Sequence, residues 1–230
     1  MRSTEVILHP IGALKQGNLQ HRRKPDSFRT RSVRRPSGLV QTRLSETWPA
    51  RFLRGGHFVA RVRNAGAAAA HGEVLVFVDA DTIVPHEFLD RVREVMIDPL
   101  CLGDSAEIVH HVRSQVLRAY LGAWRWIGFK LGMAQGAAQF CRAPAFRILK
   151  GYDESQFMGE DVDFHWRLRK LCARSSGHVE FLSDVKVIPS PRRFDTAPVW
   201  RTLIWTNPVF IWAFRKVRSA WAAWYVTPPR

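Results

Sequence analysis

The stretch GEVLVFVDADTIVP, residues 72–85, constrains the fold more than any other part of the chain. EVLVFVD is an apolar run without polar alternation, which reads as a strand buried on both faces, as in the middle of a parallel sheet. The alanine-rich RVRNAGAAAAHG before it, ending on a glycine suited to a C-cap, reads as a helix. A helix that passes directly into a buried strand is the rhythm of an α/β domain. The strand ends in two carboxylates, Asp79 and Asp81, one residue apart. Ligands of open α/β sheets bind beyond the carboxyl ends of the strands. A pair of aspartates where a strand breaks into a turn supplies hard oxygen ligands to a divalent ion and leaves positions open for phosphate oxygens. A turn that uses Asp only for side-chain to backbone hydrogen bonds is the plainer alternative.

The rest of the chain continues the α/β pattern. PHEFLDRVREVM has Pro85 at a helix start and Phe88, Leu89, Val92, Val95 and Met96 on one face. SAEIVHHVR reads as a strand and SQVLRAYLGAWRWIGFKLGMA as a long amphipathic helix; GAAQFCRAPAFRILKGYDE reads as strand, short helix and turn. GEDVDFHWRLRKLCARSSG is a helix opened by Glu160 and Asp161 and closed by SSG, carrying Val162, Trp166 and Leu168 to Leu171. VKVIPS is a last strand, followed by PRRF and a tryptophan-rich tail, and no internal repeat is visible.

Glu160, Asp161 and Asp163 form a second acidic group. Three carboxylates within four positions repel one another, and a helix N-terminus offsets part of that cost through its dipole and free N–H groups. Arg167 is placed to pair with Asp163 at i, i+4. Asp161 then has two readings: a structural N-cap, or a general base that takes a proton from a hydroxyl. His165, one turn beyond Asp161, reads as a packed helix histidine, and His110 and His111 have no matching ligands elsewhere.

Composition sets limits on partners. The 230 residues carry 35 Lys and Arg against 20 Asp and Glu, a net charge of +15. About +9 of this falls before Phe58, in a segment rich in Arg, Pro and Ser without strand or helix periodicity. A nucleic-acid partner would rest on that segment and is the weakest of the function classes. Cys101, Cys141 and Cys172 lack CxxC or zinc-ligand spacing and read as buried reduced thiols. No signal-peptide core and no uncharged apolar run of about 20 residues is present, so the expectation is a cytoplasmic chain, free or peripheral on the cytoplasmic face of a membrane. Three parts are expected: an irregular basic segment, 1–57; an α/β domain, 58–196; and a Trp-rich helical tail, 197–230.

RNAGAAAAHGEVLVFVDADT, then GAAQFCRAPAFRILKGYDESQFMGEDVDFHWRL, then SPRRF resembles, in order and spacing, the family 2 nucleotide-sugar glycosyltransferases of the GT-A fold. The resemblance covers residues 60–194, and Trp224 and Tyr225 also look like bacterial members. It implies a GT-A-like, Rossmann-like mixed sheet flanked by helices, and an inverting transfer from a nucleotide-diphosphate sugar to an acceptor hydroxyl. Asp81, with Asp79 behind it, would hold Mg²⁺ or Mn²⁺ on the donor diphosphate. Asp161 would be the base and Glu160 would orient it or the acceptor. Gly136, Ala137, Ala138 and Gln139, with Asp163, would line the sugar and acceptor pocket. Arg192 and Arg193 would neutralise diphosphate oxygens; a solvated basic turn is the equal alternative. The acceptor would be a carbohydrate or a lipid-linked molecule.

The resemblance departs at the N-terminus. Family members open with a strand like VSVVIPAYNE and a second ending VVDDGSTD, which hold the uracil and ribose, and residues 1–57 show neither although they supply the length. An out-of-frame translation of that half and a different N-terminal segment both fit. Either predicts weakened donor binding and an uncovered edge on the strand at residues 73–79, which leaves a catalytically inactive acceptor- or membrane-binding remnant as the rival function. In the tail, Trp200, Leu203, Ile204, Trp205, Phe210, Ile211, Trp212 and Phe214 alternate with Arg201, Arg215, Lys216 and Arg218. That mixture suits a membrane interface and equally suits helices packed on the domain.

Overall fold

The computed structural model describes residues 59–79, 81–131 and 136–225, together with two short strands nearer the N-terminus. Those strands, β1 (Val33–Arg34) and β2 (Val40–Gln41), pair antiparallel within a separate unit, residues 13–53. The remainder of the segment read as irregular and basic, 1–57, lies outside the described residues.

In the main unit the order is α1 (Val59–Ala69), β3 (Val74–Val78), β4 (Thr82–Ile83), α2 (Phe88–Val95), β5 (Gly103–Ile108), α3 (Gln115–Leu131), β6 (Ala138–Arg142), α4 (Ala143–Ile148), α5 (Glu160–Ser175) and β7 (Leu182–Pro189). Four short helices follow: α6 (Arg192–Thr196), α7 (Val199–Trp205), α8 (Pro208–Phe214) and α9 (Arg218–Tyr225). The five strands form a mixed sheet in the order β3-β6-β5-β7-β4, flanked by helices, with β5 and β7 parallel and every other pairing antiparallel.

β3 is where expectation and structure part. It is buried on both faces as its apolar run predicts: Val74 and Val76 pack with Phe88, Val92 and Phe140 on the α2 side, while Leu75 and Phe77 pack with Phe146, Tyr152 and Phe164 on the other. Among the described residues it is an edge strand, as the absence of the family's first two strand patterns predicts, but its neighbour is antiparallel and not parallel, Val74 opposite Arg142 and Val78 opposite Ala138. The physical reason is that helices cover both faces of the sheet. Two-sided burial therefore reports the layers above and below a strand, not its rank in the sheet or its neighbour's direction.

Only three residues, 79–81, carry the chain from β3 at one edge to β4 at the other. They reach about 14 Å at full extension, whereas five flat strands would put the edges about 19 Å apart. β4 nonetheless joins the sheet at β7: Thr82 pairs with Pro189, and the Ser190 amide donates to the Asp81 carbonyl at 2.9 Å.

α5 buries Phe164, His165, Leu168 and Cys172, while Trp166 is exposed. His165 is packed as expected, its Nδ1 3.3 Å from Asp104 Oδ1 on β5. The three cysteines are free and buried. α3 packs through Leu117, Leu121 and Tyr120 against Leu203 of α7 and Phe194 of α6. The tail is thus three helices seated on the domain. Asn207 accepts hydrogen bonds from the Val209 and Phe210 amides to cap α8, and the fully buried Trp221 donates to the Phe214 carbonyl at 2.9 Å. No helix among the described residues is long and apolar enough to cross a membrane.

Candidate active site

Four chain segments meet at the end of the sheet where β3 stops: the Asp79–Asp81 turn, the loop entering β6, the first turn of α5, and residues 190–193 after β7. β6 runs antiparallel to β3, so its first residues lie beside Asp79, whose amide donates to the Ala137 carbonyl at 3.1 Å. α5 is opened by Gly159 in the left-handed region (φ 78°), and places Glu160 and Asp161 at its N-terminus, where the helix dipole favours negative charge.

Arg63 of α1 holds these parts together. It is 2% exposed, and its Nη2 donates to Asp79 Oδ1 and to the Gly136 carbonyl, both at 2.8 Å, while Nη1 donates to Glu160 Oε1 at 3.3 Å. Burial alone would depress its pKa, but Asp79 and then the neighbouring acidic groups raise it, so the guanidinium stays charged. Asp161 Oδ2 accepts from the Gly136 amide at 2.6 Å and Oδ1 from the Val162 amide at 2.8 Å. Burial raises the carboxyl of Asp161 above the ordinary range against the opposing pull of Arg63, and raises Glu160 with help from the charge on Asp161. Gly136 is obligatory here: a Cβ would lie 2.8 Å from Arg63 Nη2 and from Asp161 Oδ2.

The two aspartates of the turn have different surroundings. Asp79 is turned inward onto Arg63. The Asp81 side chain is half exposed, with Arg192 Nη2 at 4.0 Å, and its pKa is raised by burial and by Asp79 while Arg193 and Arg192 lower it. Arg192 also donates to the Ser190 hydroxyl at 3.1 Å, and Arg193 lies over the Trp224 ring of α9 at 4.2 Å. Both arginines therefore stand beside the acidic turn.

The remaining expected residues are placed differently. Ala137 and Ala138 put their side chains into the core on the α2 side. Gln139 is buried, with Nε2 donating to the Asp161 carbonyl at 3.2 Å and Oε1 accepting from the Tyr152 hydroxyl at 2.8 Å. Asp163 lies on the other flank of α5 in an ion pair with Arg167 at 2.7 Å, as its spacing predicts, and Arg167 donates onward to the Leu149 and Gly151 carbonyls. His110 packs edge-on against Phe194 at 5.2 Å.

Arg63, Asn64 and Tyr152 were not marked as site residues by their sequence. Asn64 clasps the 150–153 turn, accepting from the Tyr152 amide and donating to its carbonyl, both at 2.9 Å. Gly151 sits there at φ 70°, where a Cβ would meet Asn64 Oδ1 at 2.5 Å. Arg63, Asn64 and Tyr152 all lie in stretches that carried the family resemblance, RNAG at 63–66 and GYD at 151–153, and Arg63 had a further signal, a cation spaced i, i+3 from Ala60 and i, i+4 from Ala67 on the inner face of an otherwise small-residue helix.

Among the described residues no group of three or more His, Cys, Asp or Glu is arranged to hold a metal ion. Two carboxylates, one of them open to solvent, fit a divalent cation whose other ligands come from outside the protein, such as diphosphate oxygens.

A mixed five-stranded sheet flanked by helices, with acidic groups and arginines gathered beyond one end, has the architecture of a GT-A-like fold. Residues 42–146 match the family described as glycosyl transferase family 2. It is similar to the pre-mycofactocin glycosyltransferases of two Mycobacterium tuberculosis strains, CDC 1551 / Oshkosh and ATCC 25618 / H37Rv. Each is 30% identical over 128 residues, covering 50% of this chain and 27% of the relative. The chain thus spans about a quarter of the length of these curated relatives.

Proposed function

We propose that this domain transfers a sugar from a nucleotide-diphosphate donor to an acceptor hydroxyl with inversion. The observation that carries this reading is the convergence of Asp161, Asp79, Asp81 and Arg192 at one end of the sheet, with Gly136 fixing Asp161 in place. Asp161, whose affinity for a proton is raised, takes the proton of the acceptor hydroxyl. The acceptor oxygen forms a bond to the anomeric carbon as the bond from that carbon to the diphosphate oxygen breaks, and the electron pair leaves on the diphosphate. Glu160 orients the base from its ion pair with Arg63. Arg192 and Arg193 neutralise the departing charge. Asp81 and Asp79 would hold Mg²⁺ or Mn²⁺, which when bound supplies Lewis-acid stabilisation of the leaving diphosphate. Gly136 contributes backbone beside Asp161, Ala137 and Ala138 serve the core and Gln139 supports the Asp161 carbonyl, and Asp163 acts only through Arg167 and the 150–153 turn.

The test is release of nucleoside diphosphate from a panel of nucleotide sugars in the presence of Mn²⁺ or Mg²⁺. Donor turnover is expected, and chelation by EDTA should reduce it by at least about a hundredfold, since the charge stabilisation at stake is several kcal/mol. A folded protein that turns over no donor would favour the inactive remnant, and turnover unchanged by EDTA would remove the metal.

A peripheral membrane contact through the tail is the second part of the reading. Trp200 and Trp212 are 59% and 70% exposed and Ile204 and Val209 are exposed beside them. Arg201 lies 5.4 Å from the centre of the Trp200 ring and Arg215 5.4 Å from that of Trp212. No acidic residue follows Asp195. Exposed aromatic rings paired with arginines match an anionic lipid surface, while Lys216 of the same tail is held by Asp153 at 3.6 Å. The double substitution Trp200→Ser, Trp212→Ser should weaken co-sedimentation with phosphatidylglycerol vesicles by at least about tenfold, given about 1.5–3 kcal/mol for burying a large apolar side chain. Equal sedimentation of both proteins would show that the tail serves packing alone.

A further inference from the structure

Arg63 is a charge set where water does not reach, and its three hydrogen bonds go to three different segments: Asp79 after β3, the Gly136 carbonyl before β6, and Glu160 at the start of α5. A fourth segment, the 150–153 turn, presents the Tyr152 ring to the guanidinium, 5.3 Å from its centre. We propose that Arg63 is a positioning residue for the transfer reaction, setting the place of Asp161 through Gly136 and Glu160 without itself touching substrate. This rests on the role given above to Asp161.

Gly136 is gripped at both ends. Arg63 takes its carbonyl and Asp161 takes its amide, so a shift of the guanidinium moves the amide that orients the carboxylate. The absence of room for a Cβ at Gly136 shows how closely Arg63 and Asp161 approach across it. Glu160 supplies the second connection, since its backbone leads directly into Asp161 and its side chain is anchored on Arg63. A planar guanidinium fork reaches these acceptors together; a lysine ammonium supplies the charge as a point without the fork. Arg63 also keeps the buried Glu160 from being an uncompensated charge and pairs the partly exposed Asp79.

The test uses the full chain, first without any substrate. In ¹H–¹⁵N spectra the Gly136 amide, donated to a carboxylate at 2.6 Å, should resonate downfield, as short charge-assisted hydrogen bonds do. In Arg63→Met it should move upfield with dispersion elsewhere retained, and in Arg63→Lys it should lie between the two. With a donor that the wild type turns over, Arg63→Met should lower kcat about 10²-fold, the cost of a displaced catalytic group. KM for the donor should stay within about threefold, because uniform binding is not what is lost. Arg63→Lys should recover part of kcat.

A folded Arg63→Met with an unshifted Gly136 amide, or with KM raised and kcat kept, overturns the proposal. Where Arg63→Met does not fold, Glu160→Gln takes its place, since it keeps the side-chain shape and cuts the ion pair. An unmoved Gly136 amide there overturns the proposal equally. If the wild type turns over no donor, the functional reading falls and the Gly136 amide alone decides whether Arg63 positions Asp161.

Discussion

Asp161→Asn is expected to lower kcat by about 10²–10⁴-fold, the usual worth of a general base, while the donor KM stays close to the wild-type value. The substitution is chosen because it changes chemistry and little else. Asn keeps one oxygen to accept the Gly136 amide, now at 2.6 Å, and occupies the same space, so Gly136 should keep its place; its NH2 gives up the second acceptance, from the Val162 amide at 2.8 Å. What is lost is the capacity to take a proton. The lost Val162 bond costs about 0.5–1.5 kcal/mol and is offset by relief of two crowded carboxylates, since the charge on Asp161 helps push up Glu160, so the net change in stability should be small.

The pH dependence of stability follows in sign. A carboxyl whose pKa is higher in the folded protein than in the unfolded chain binds its proton more tightly when folded. Its contribution is therefore complete below the unfolded value and is lost as pH rises through the folded one. Glu160 and Asp161 both act in that direction, and so does Asp104, which burial pushes up to about 7. Asp161→Asn removes one of the three and relaxes Glu160, while Asp104 stays as it is. Thermal unfolding of the variant should decline less steeply than that of wild type between about pH 4 and pH 7. Full activity in a folded Asp161→Asn would dismiss this residue as the base, and a steeper decline in stability would contradict the electrostatics of the pair.

The sequence showed the ends of the site more clearly than its centre. Asp79, Asp81, Glu160 and Asp161 were legible because carboxylates at a strand end and at a helix start break the local pattern, and the helix–strand order around them made an α/β fold the natural expectation. Arg63 was hidden for the opposite reason. It lies in a helix where arginine is an ordinary, favourable residue, and nothing local says that this turn faces inward to meet charges 16 and 97 positions away. The antiparallel neighbour of β3 was equally unreadable, since burial on two faces has the same apolar signature whichever way the next strand runs; its place at an edge followed instead from the family strands that the sequence of residues 1–57 does not show. Asp163 and Arg167 were predictable as a pair because i, i+4 contacts depend on helix geometry alone. Their service to the 150–153 turn depends on where α4 ends, which only the assembled fold supplies. The tail shows the same boundary: its composition announced aromatic and basic residues together, but which tryptophans are buried, Trp205 against Trp224 and Trp221 against Phe210, and which are exposed, Trp200 and Trp212, is decided by how the short helices pack.

Tyr152→Ala is expected to destabilise the domain by about 3–5 kcal/mol, the range for removing a fully enclosed aromatic side chain, measured as a loss in the free energy of denaturant unfolding. Tyr152 is 2% exposed and lies among Phe77 at 5.3 Å, Phe146 at 5.7 Å and Phe164 at 4.7 Å between ring centres. These rings come from β3, α4 and α5, so the cavity would open between the strand that ends in Asp79 and the helix that begins at Glu160. Tyr152→Phe separates packing from polarity. It keeps the ring contacts and removes only the hydroxyl that donates to Gln139 Oε1 at 2.8 Å, leaving a buried acceptor without that donor at a cost of about 1–3 kcal/mol. Because Gln139 also donates to the Asp161 carbonyl, the Phe variant should lower kcat more than its smaller loss of stability alone would suggest. An Ala variant as stable as the Phe variant would mean that the ring cluster contributes little, and the aromatic residue of the 150–153 turn would then act on the site through its hydroxyl alone.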